Sequence, residues 1–304
     1  MRFGLTTPVV TLVPRSHAAW EADAGPEELR RIASQADRLG YDYLSCSEHV
    51  GIPVDVAKMR GGRYYEPAAT LGFVAAITRR IRLLTHVIVL PYHHPLAVAK
   101  RYGTLDRLSG GRVILGVGVG SLKPEFELLG VDFDSRGPRY EDALRALRAA
   151  LGQRQPSYRG THYQFSDFTI DPCALQPHLP IWIGGRSARS LRRALALADG
   201  WDPFGLGLEQ LDGMLSSARD SPLWRERRDP FDVVLSPEAP LTLERAHETI
   251  AAYARIGATA MNLRFQHRSL DHYLEILERF AQDVMPAFAA DDPPQRTQRV
   301  TESS

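Results

Sequence analysis

The chain has 304 residues, 44% of them hydrophobic and 24% charged, which is ordinary for a globular protein with one large core. Its 37 Lys and Arg nearly cancel its 36 Asp and Glu, so no broad positive field is present to hold nucleic acid or an anionic membrane surface. Cys46 and Cys173 make neither a C-x-x-C pair nor a disulfide framework, and no apolar run reaches the roughly 18 residues of a membrane span. The opening "MRFGLTTPVV" has no basic region and no apolar leader core, so the expected location is a reducing cytoplasm.

Along the chain, short apolar runs alternate with helical stretches. Strand Arg2–Thr7 precedes helix Pro26–Leu39; Tyr43–Ser47 precedes Pro67–Thr78; Arg82–Leu90 precedes Pro95–Leu108; and Arg112–Gly118 precedes Pro138–Leu151. The second half pairs Pro180–Gly184 with Ser187–Ala198, Gly200–Phe204 with Leu208–Ala218, Phe231–Leu235 with Leu241–Ile256, and Ala258–Arg264 with Leu270–Val284. Pro26, Pro67, Pro95 and Pro138 mark helix starts, where a missing N–H costs least. This alternation predicts an α/β fold, a (β/α)8 barrel filling residues 1–286, with a doubly wound sheet as the runner-up. The irregular stretches Val50–Tyr65 and Tyr158–Pro180 read as insertions at the C-terminal face. Residues 287–304, polar and Pro-containing, read as a disordered tail.

Two glycine turns follow strands. "GGRVILGVGVGS" (110–121) places Gly116, Gly118 and Gly120 as G-x-G-x-G after the fourth strand, a poor match to the G-x-G-x-x-G of a dinucleotide fold. In "PIWIGGRSARSLRRALALADGW" (180–201), Gly184 and Gly185 end the fifth strand and Ser187 can cap the next helix, whose exposed N–H groups suit a phosphate. Packing and tight turns are the alternative reading of both. Arg189, Arg192 and Arg193 read by default as a solvated helix face, with an anionic ligand tail as the other possibility.

The stretch "IRLLTHVIVLPYHHPLAVAKRYGTLDRLSGGRVILGVGVGSLKPEFELLGVDFDSRG" (81–137) resembles the bacterial luciferase-like monooxygenase superfamily, in particular its coenzyme F420-dependent branch. "YDYLSCSEHV" (41–50) and the fifth-strand turn follow in family order. The resemblance implies a (β/α)8 barrel binding F420, or alternatively FMN, at the C-terminal face. It sets Glu48 and His49 beside the flavin-like ring, His49 as the proton-handling group. It makes His86–Val87, next to Thr85, a non-proline cis bond supporting the ring. Gly118, Val119, Gly120 and Ser121 would lie along the ribityl chain, and Gly184, Gly185, Arg186 and Ser187 at its phosphate. One sugar-phosphate dehydrogenase of the family has a catalytic Glu where this chain has Ser121, which argues against that activity. A homodimer and a reductase supplying reduced cofactor are also implied.

Other barrel chemistries fit poorly. The first strand has no H-x-H pair, and His93–His94 lacks a third ligand, so no metal is expected. Lys58, Lys100 and Lys123, the only lysines, fall outside the strands, which disfavours Schiff-base chemistry. Cys46 reads as a packing residue. The leading reading is hydride transfer between the deazaflavin and a small organic substrate; the alternatives are an FMN-dependent monooxygenase and a non-catalytic flavin-binding barrel. Tyr64, Tyr65, Tyr163, Phe165 and Trp201 suggest a partly apolar substrate, with packing of the loops as the alternative reading.

Overall fold

Each strand of the central sheet runs parallel to its neighbours, and the last returns to the first. In chain order the strands are β1 (Arg2–Thr6), β2 (Tyr43–Cys46), β3 (Arg82–Thr85), β4 (Val113–Gly118), β5 (Ile181–Gly184), β6 (Gly200–Asp202), β7 (Asp232–Leu235) and β8 (Ala260–Leu263). Closure comes from the register Arg2↔Ala260 to Leu5↔Leu263 between β1 and β8. The computed structural model, which describes residues 1–14 and 16–289, is a (β/α)8 barrel.

The outer layer consists of α1 (Pro26–Leu39), α2 (Pro67–Ile77), α3 (Pro95–Ser109), α4 (Arg136–Ala150), α5 (Ala188–Leu197), α6 (Leu208–Arg219), α7 (Leu243–Arg255) and α8 (Leu270–Asp283). Proline opens α1, α2 and α3 as expected. In α4 the helix begins two residues before Pro138, since the whole first turn has N–H groups without intrahelical partners and accepts proline. The insertions form a short strand pair, Thr11–Leu12 with Arg63–Tyr64, and a hairpin, Tyr158–Arg159 with Gln164–Phe165. Met285–Phe288 is a 3-10 turn whose Phe288 ring meets Phe3 edge-on, so ordered packing runs slightly past 286; residues 290–304 of the expected tail lie outside the described residues. Among the described residues, no helix is long and apolar enough to cross a membrane.

Alternation along the strands sorts the core in two. One cluster, Tyr43, Leu84, Ile114, Trp182, Val234 and Ala260, fills the barrel interior, while outward residues such as Leu5, Leu83, Leu115 and Ile183 pack under the helices. Gly4 makes room for the interior plug, because a Cβ there would enter the Tyr43 ring. At the N-terminal end, Arg2 pairs with Asp232, and Arg82 binds both oxygens of Asp42. Trp201, expected at the pocket, points out of the barrel instead: it is fully buried against α5, its indole N–H donating to Ser190 Oγ at 3.2 Å. A residue following an inward glycine on a short strand must face the helices.

Candidate active site

The expected third strand, Arg82–Leu90, breaks in the middle. Its main part ends at Thr85, the His86–Val87 bond is cis, and Ile88–Val89 resumes pairing alongside β4. Neighbouring strand ends hold the break in place. His86 N–H donates to Cys46 C=O (2.8 Å), Ser47 Oγ donates to His86 C=O (2.7 Å), and Glu48 N–H donates to Val87 C=O (3.2 Å). The Val87 side chain fits between two glycines: a Cβ on Gly118 would lie 2.7 Å from Val87 Cγ2, and one on Gly184 would lie 2.9 Å from Val87 Cγ1. These glycines are thus required by the floor of the barrel mouth, and Gly120, at φ +79°, by a turn over Val89 and Phe126.

Glu48 and His49 leave β2 in different directions. Glu48 is buried and both its oxygens are engaged, one accepting from Val89 N–H at 2.7 Å and the other 2.8 Å from His93 Nε2. It positions the strand break and holds the His93 ring. His49 Nδ1 lies 2.8 Å from Oε2 of Glu125, and its ring stands edge-on to Tyr64 at 4.6 Å. Glu125 has a fully buried side chain and also accepts from Val50 N–H, Gly51 N–H and Tyr92 Oη. Burial opposes its ionisation, but the bond and charge of His49, with Gly51 N–H and Tyr92, hold its carboxyl below the ordinary range.

On the barrel axis, His86 Nε2 lies 3.2 Å from Asp202 Oδ2, at ion-pair separation but out of line for a hydrogen bond. Asn262 Nδ2 approaches His86 Nδ1 at 3.4 Å and its Oδ1 accepts from Thr6 Oγ1 at 3.2 Å. Burial works against the charged imidazole, yet Asp202 raises the His86 pKa overall. Thr85, expected at the cofactor, is fully buried and its hydroxyl donates to Gly116 C=O at 2.7 Å, so the side chain is not free for a ligand.

Across the mouth, a cavity of about 310 Å³ lies between the starts of α4 and α5. Arg136, Ser187, Arg189, Arg193 and Val119 line it, with the carboxylate of Asp134 in the same wall. Ser187 caps α5, its Oγ accepting Ser190 N–H. Arg193 is steadied by Glu141 at 2.7 Å, and Arg136 stacks on Phe133. Arg186 does not line this cavity; its guanidinium sits 5.8 Å from the Phe204 ring centre. Gly185 takes φ +107° at the turn, Ser121 is exposed, and Arg192 points outward. Tyr163 and Phe165 are buried beneath the hairpin, which ties to α4 through Tyr158 Oη and Asp142.

The family model for luciferase-like monooxygenases matches residues 1–295. The chain belongs to that family. An uncharacterized protein of Mycobacterium tuberculosis is 29% identical over 265 residues, covering 82% of this chain and 91% of the relative. Among solved structures, the monooxygenase RslO1 from Streptomyces bottropensis superposes with TM-score 0.74 at 22% identity, covering 95% of this chain and 100% of that one. The coenzyme F420-dependent tetrahydromethanopterin reductase of Methanopyrus kandleri gives 0.70 at 16% identity, covering 95% and 99%. The FMN-bound oxygenating constituent of 3,6-diketocamphane monooxygenase from Pseudomonas putida gives 0.69 at 16%, covering 94% and 98%. These likenesses establish a shared fold.

The donor set in this luciferase-like barrel fits a phosphorylated flavin or deazaflavin: cations and two helix N-termini at one side of the mouth, and an apolar floor built on Val87. Sequence reasoning missed Glu125, Asp202, Asn262 and Arg136. Asp202 and Asn262 alternate with interior residues of their strands and were recoverable from that period. Glu125 had no local signal, because an acid in the first turn of a short helix reads as a dipole partner.

Proposed function

We propose that the protein is an F420-dependent oxidoreductase acting on a small organic substrate. The observation that carries this reading is the 310 Å³ cavity lined by Arg136, Arg189 and Arg193. One phosphate is satisfied by a helix N-terminus and a single cation. Three arginines, of which Arg193 is already paired with Glu141, against one lining carboxylate, Asp134, suit a ligand whose negative charge continues past its phosphate, as the tail of F420 does. When bound, the deazaflavin supplies the ring carbon, C5, between which and the substrate a hydride moves. The chain's part is positioning and proton handling. Val87, wedged against Gly118 and Gly184, forms the platform, and Glu125 fixes the His49 ring through Nδ1. That leaves His49 Nε2 to hold or deliver a proton.

A second reading, an FMN-dependent monooxygenase fed by a partner reductase, is favoured by one observation: the structural neighbour with TM-score 0.74 is named a monooxygenase. In either case α2 supports a homodimer, since Ala69, Phe73 and Ala76 form an exposed apolar stripe along it.

Titration with oxidised F420 and, separately, FMN, followed by quenching of cofactor fluorescence, tests both readings. Micromolar or tighter F420 binding with weak FMN binding is the expected result, and Arg189→Ala should weaken F420 about tenfold, the value of a charge-assisted contact. The reverse preference selects the FMN reading. Binding of neither sinks both.

A further inference from the structure

On the β8 and β1 side of the mouth lies a second cavity, of about 90 Å³, with Thr6, Thr7, Ser16, His17, Arg264 and Tyr273 in its wall. Arg264 follows Asn262 by two positions and so leaves β8 on the same, inward side. Its guanidinium is half-buried, and among the described residues no carboxylate reaches ion-pair distance; its hydrogen bond, to Glu238 C=O, is a long 3.3 Å. Burial lowers its pKa with no anion working the other way, although a guanidinium stays charged at neutral pH. A partly desolvated charge without a partner is unfavourable, and a ligand carrying the opposite charge relieves it.

The carboxylate in the same wall is already engaged. Glu21 accepts from Val9 N–H at 3.0 Å and Ala18 N–H at 2.8 Å, with His267 Nε2 at 3.4 Å. Thr7 and Tyr273, by contrast, carry buried hydroxyls that have no hydrogen-bond partner among the described residues. Thr6 connects this cavity through Asn262 to His86, and His86 begins the cis bond under the proposed ring. Resting on the oxidoreductase reading, we propose that this cavity takes a carboxylate group of the substrate, which makes the substrate an organic acid. Arg264 pairs with the carboxylate while the hydroxyl-bearing wall surrounds it, so the rest of the molecule extends toward His86 and the reacting face.

Acetate, propionate and benzoate, each alongside its amide, are the probes. They are titrated calorimetrically into the wild-type protein, with and without F420 or FMN, and into Arg264→Gln and Arg264→Lys. The expected result is that at least one acid binds tenfold or more tightly than its amide. Arg264→Gln should abolish the preference and Arg264→Lys keep part of it, with cofactor fluorescence quenching unchanged in both. No acid binding, equal binding of acids and amides, or a preference surviving in Arg264→Gln overturns the proposal even where the cofactor binds. An Arg264-dependent preference in a protein that binds neither cofactor upholds the anion site and sinks the oxidoreductase reading instead. Should Arg264→Gln fail to fold, as judged by circular dichroism, salt decides with wild type and Arg264→Lys: a charge-borne preference falls as NaCl rises, and a preference indifferent to salt overturns the proposal.

Discussion

The two ends of the barrel interior carry the same kinds of charge on very different terms. At the N-terminal end, Arg2 and Arg82 begin their strands opposite Asp232 and Asp42, and each guanidinium meets a carboxylate. At the C-terminal end, among the described residues, Arg264 has no carboxylate at ion-pair distance, and Asp202, fully buried, pairs with His86 without a hydrogen bond. Both sets of side chains sit at strand ends of one closed sheet. Charges that are matched within the chain can stabilise it, whereas the unmatched Arg264 is the charge for which the carboxylate site was proposed. The contrast agrees with the general division of such barrels into a stability face and a catalytic face.

The largest effect that would test this contrast belongs to His49. His49→Asn keeps an N–H near the Nδ1 position, and so the bond to Glu125, but removes the imidazole's second nitrogen. Turnover of whichever cofactor binds should fall about 10²- to 10⁴-fold, the usual value of a general acid or base, while the thermal unfolding midpoint barely moves. A loss under tenfold would take proton handling away from His49.

The opposite pattern is expected at the other end. Arg82→Met deletes one partner of a two-point ion pair with Asp42 and should cost about 2 kcal/mol in urea unfolding. That is less than for a fully enclosed pair, because 26% of the Arg82 side chain remains accessible and water screens the loss. Cofactor binding and turnover should stay within about twofold of wild type by the same separation of faces. An activity loss without a stability loss would break the comparison outright.

The barrel itself was legible in the sequence because each of its strands and helices satisfies a local rule: apolar strand cores, helical periodicity, proline in first turns. What escaped depends on contacts between distant segments. His86–Val87 could be placed only by resemblance, since no periodicity signals a cis bond. Thr85 looked available from its position at a strand end, yet its hydroxyl is consumed by Gly116 on the next strand. Arg186, Arg189, Arg192 and Arg193 are similar neighbours of a glycine turn in sequence. Only the position of α4, a separate element bearing Arg136, decides that Arg189 and Arg193 line the cavity while Arg186 meets Phe204.

The smallest expected effect concerns the His86–Asp202 pair and is read through pH. Asp202→Asn keeps the shape and removes the charge that raises the His86 pKa against the opposing effect of burial. A histidine whose folded pKa lies above its unfolded value, near 6.5, binds more protons when folded. Its contribution to stability is therefore complete below about pH 6.5 and is lost as pH rises through the folded value. In the variant, burial and the Arg264 charge both act against the charged His86, its folded pKa falls, and the slope reverses. Wild type should thus exceed Asp202→Asn by about 1 kcal/mol near pH 5.5, the scale of an ion pair without hydrogen-bond geometry. The gap should narrow as pH rises through the folded His86 pKa, as linkage requires. Parallel stability curves across that range would mean that Asp202 does not hold a proton on His86, and the buried carboxylate at the open end would then need a partner from a ligand, as Arg264 does.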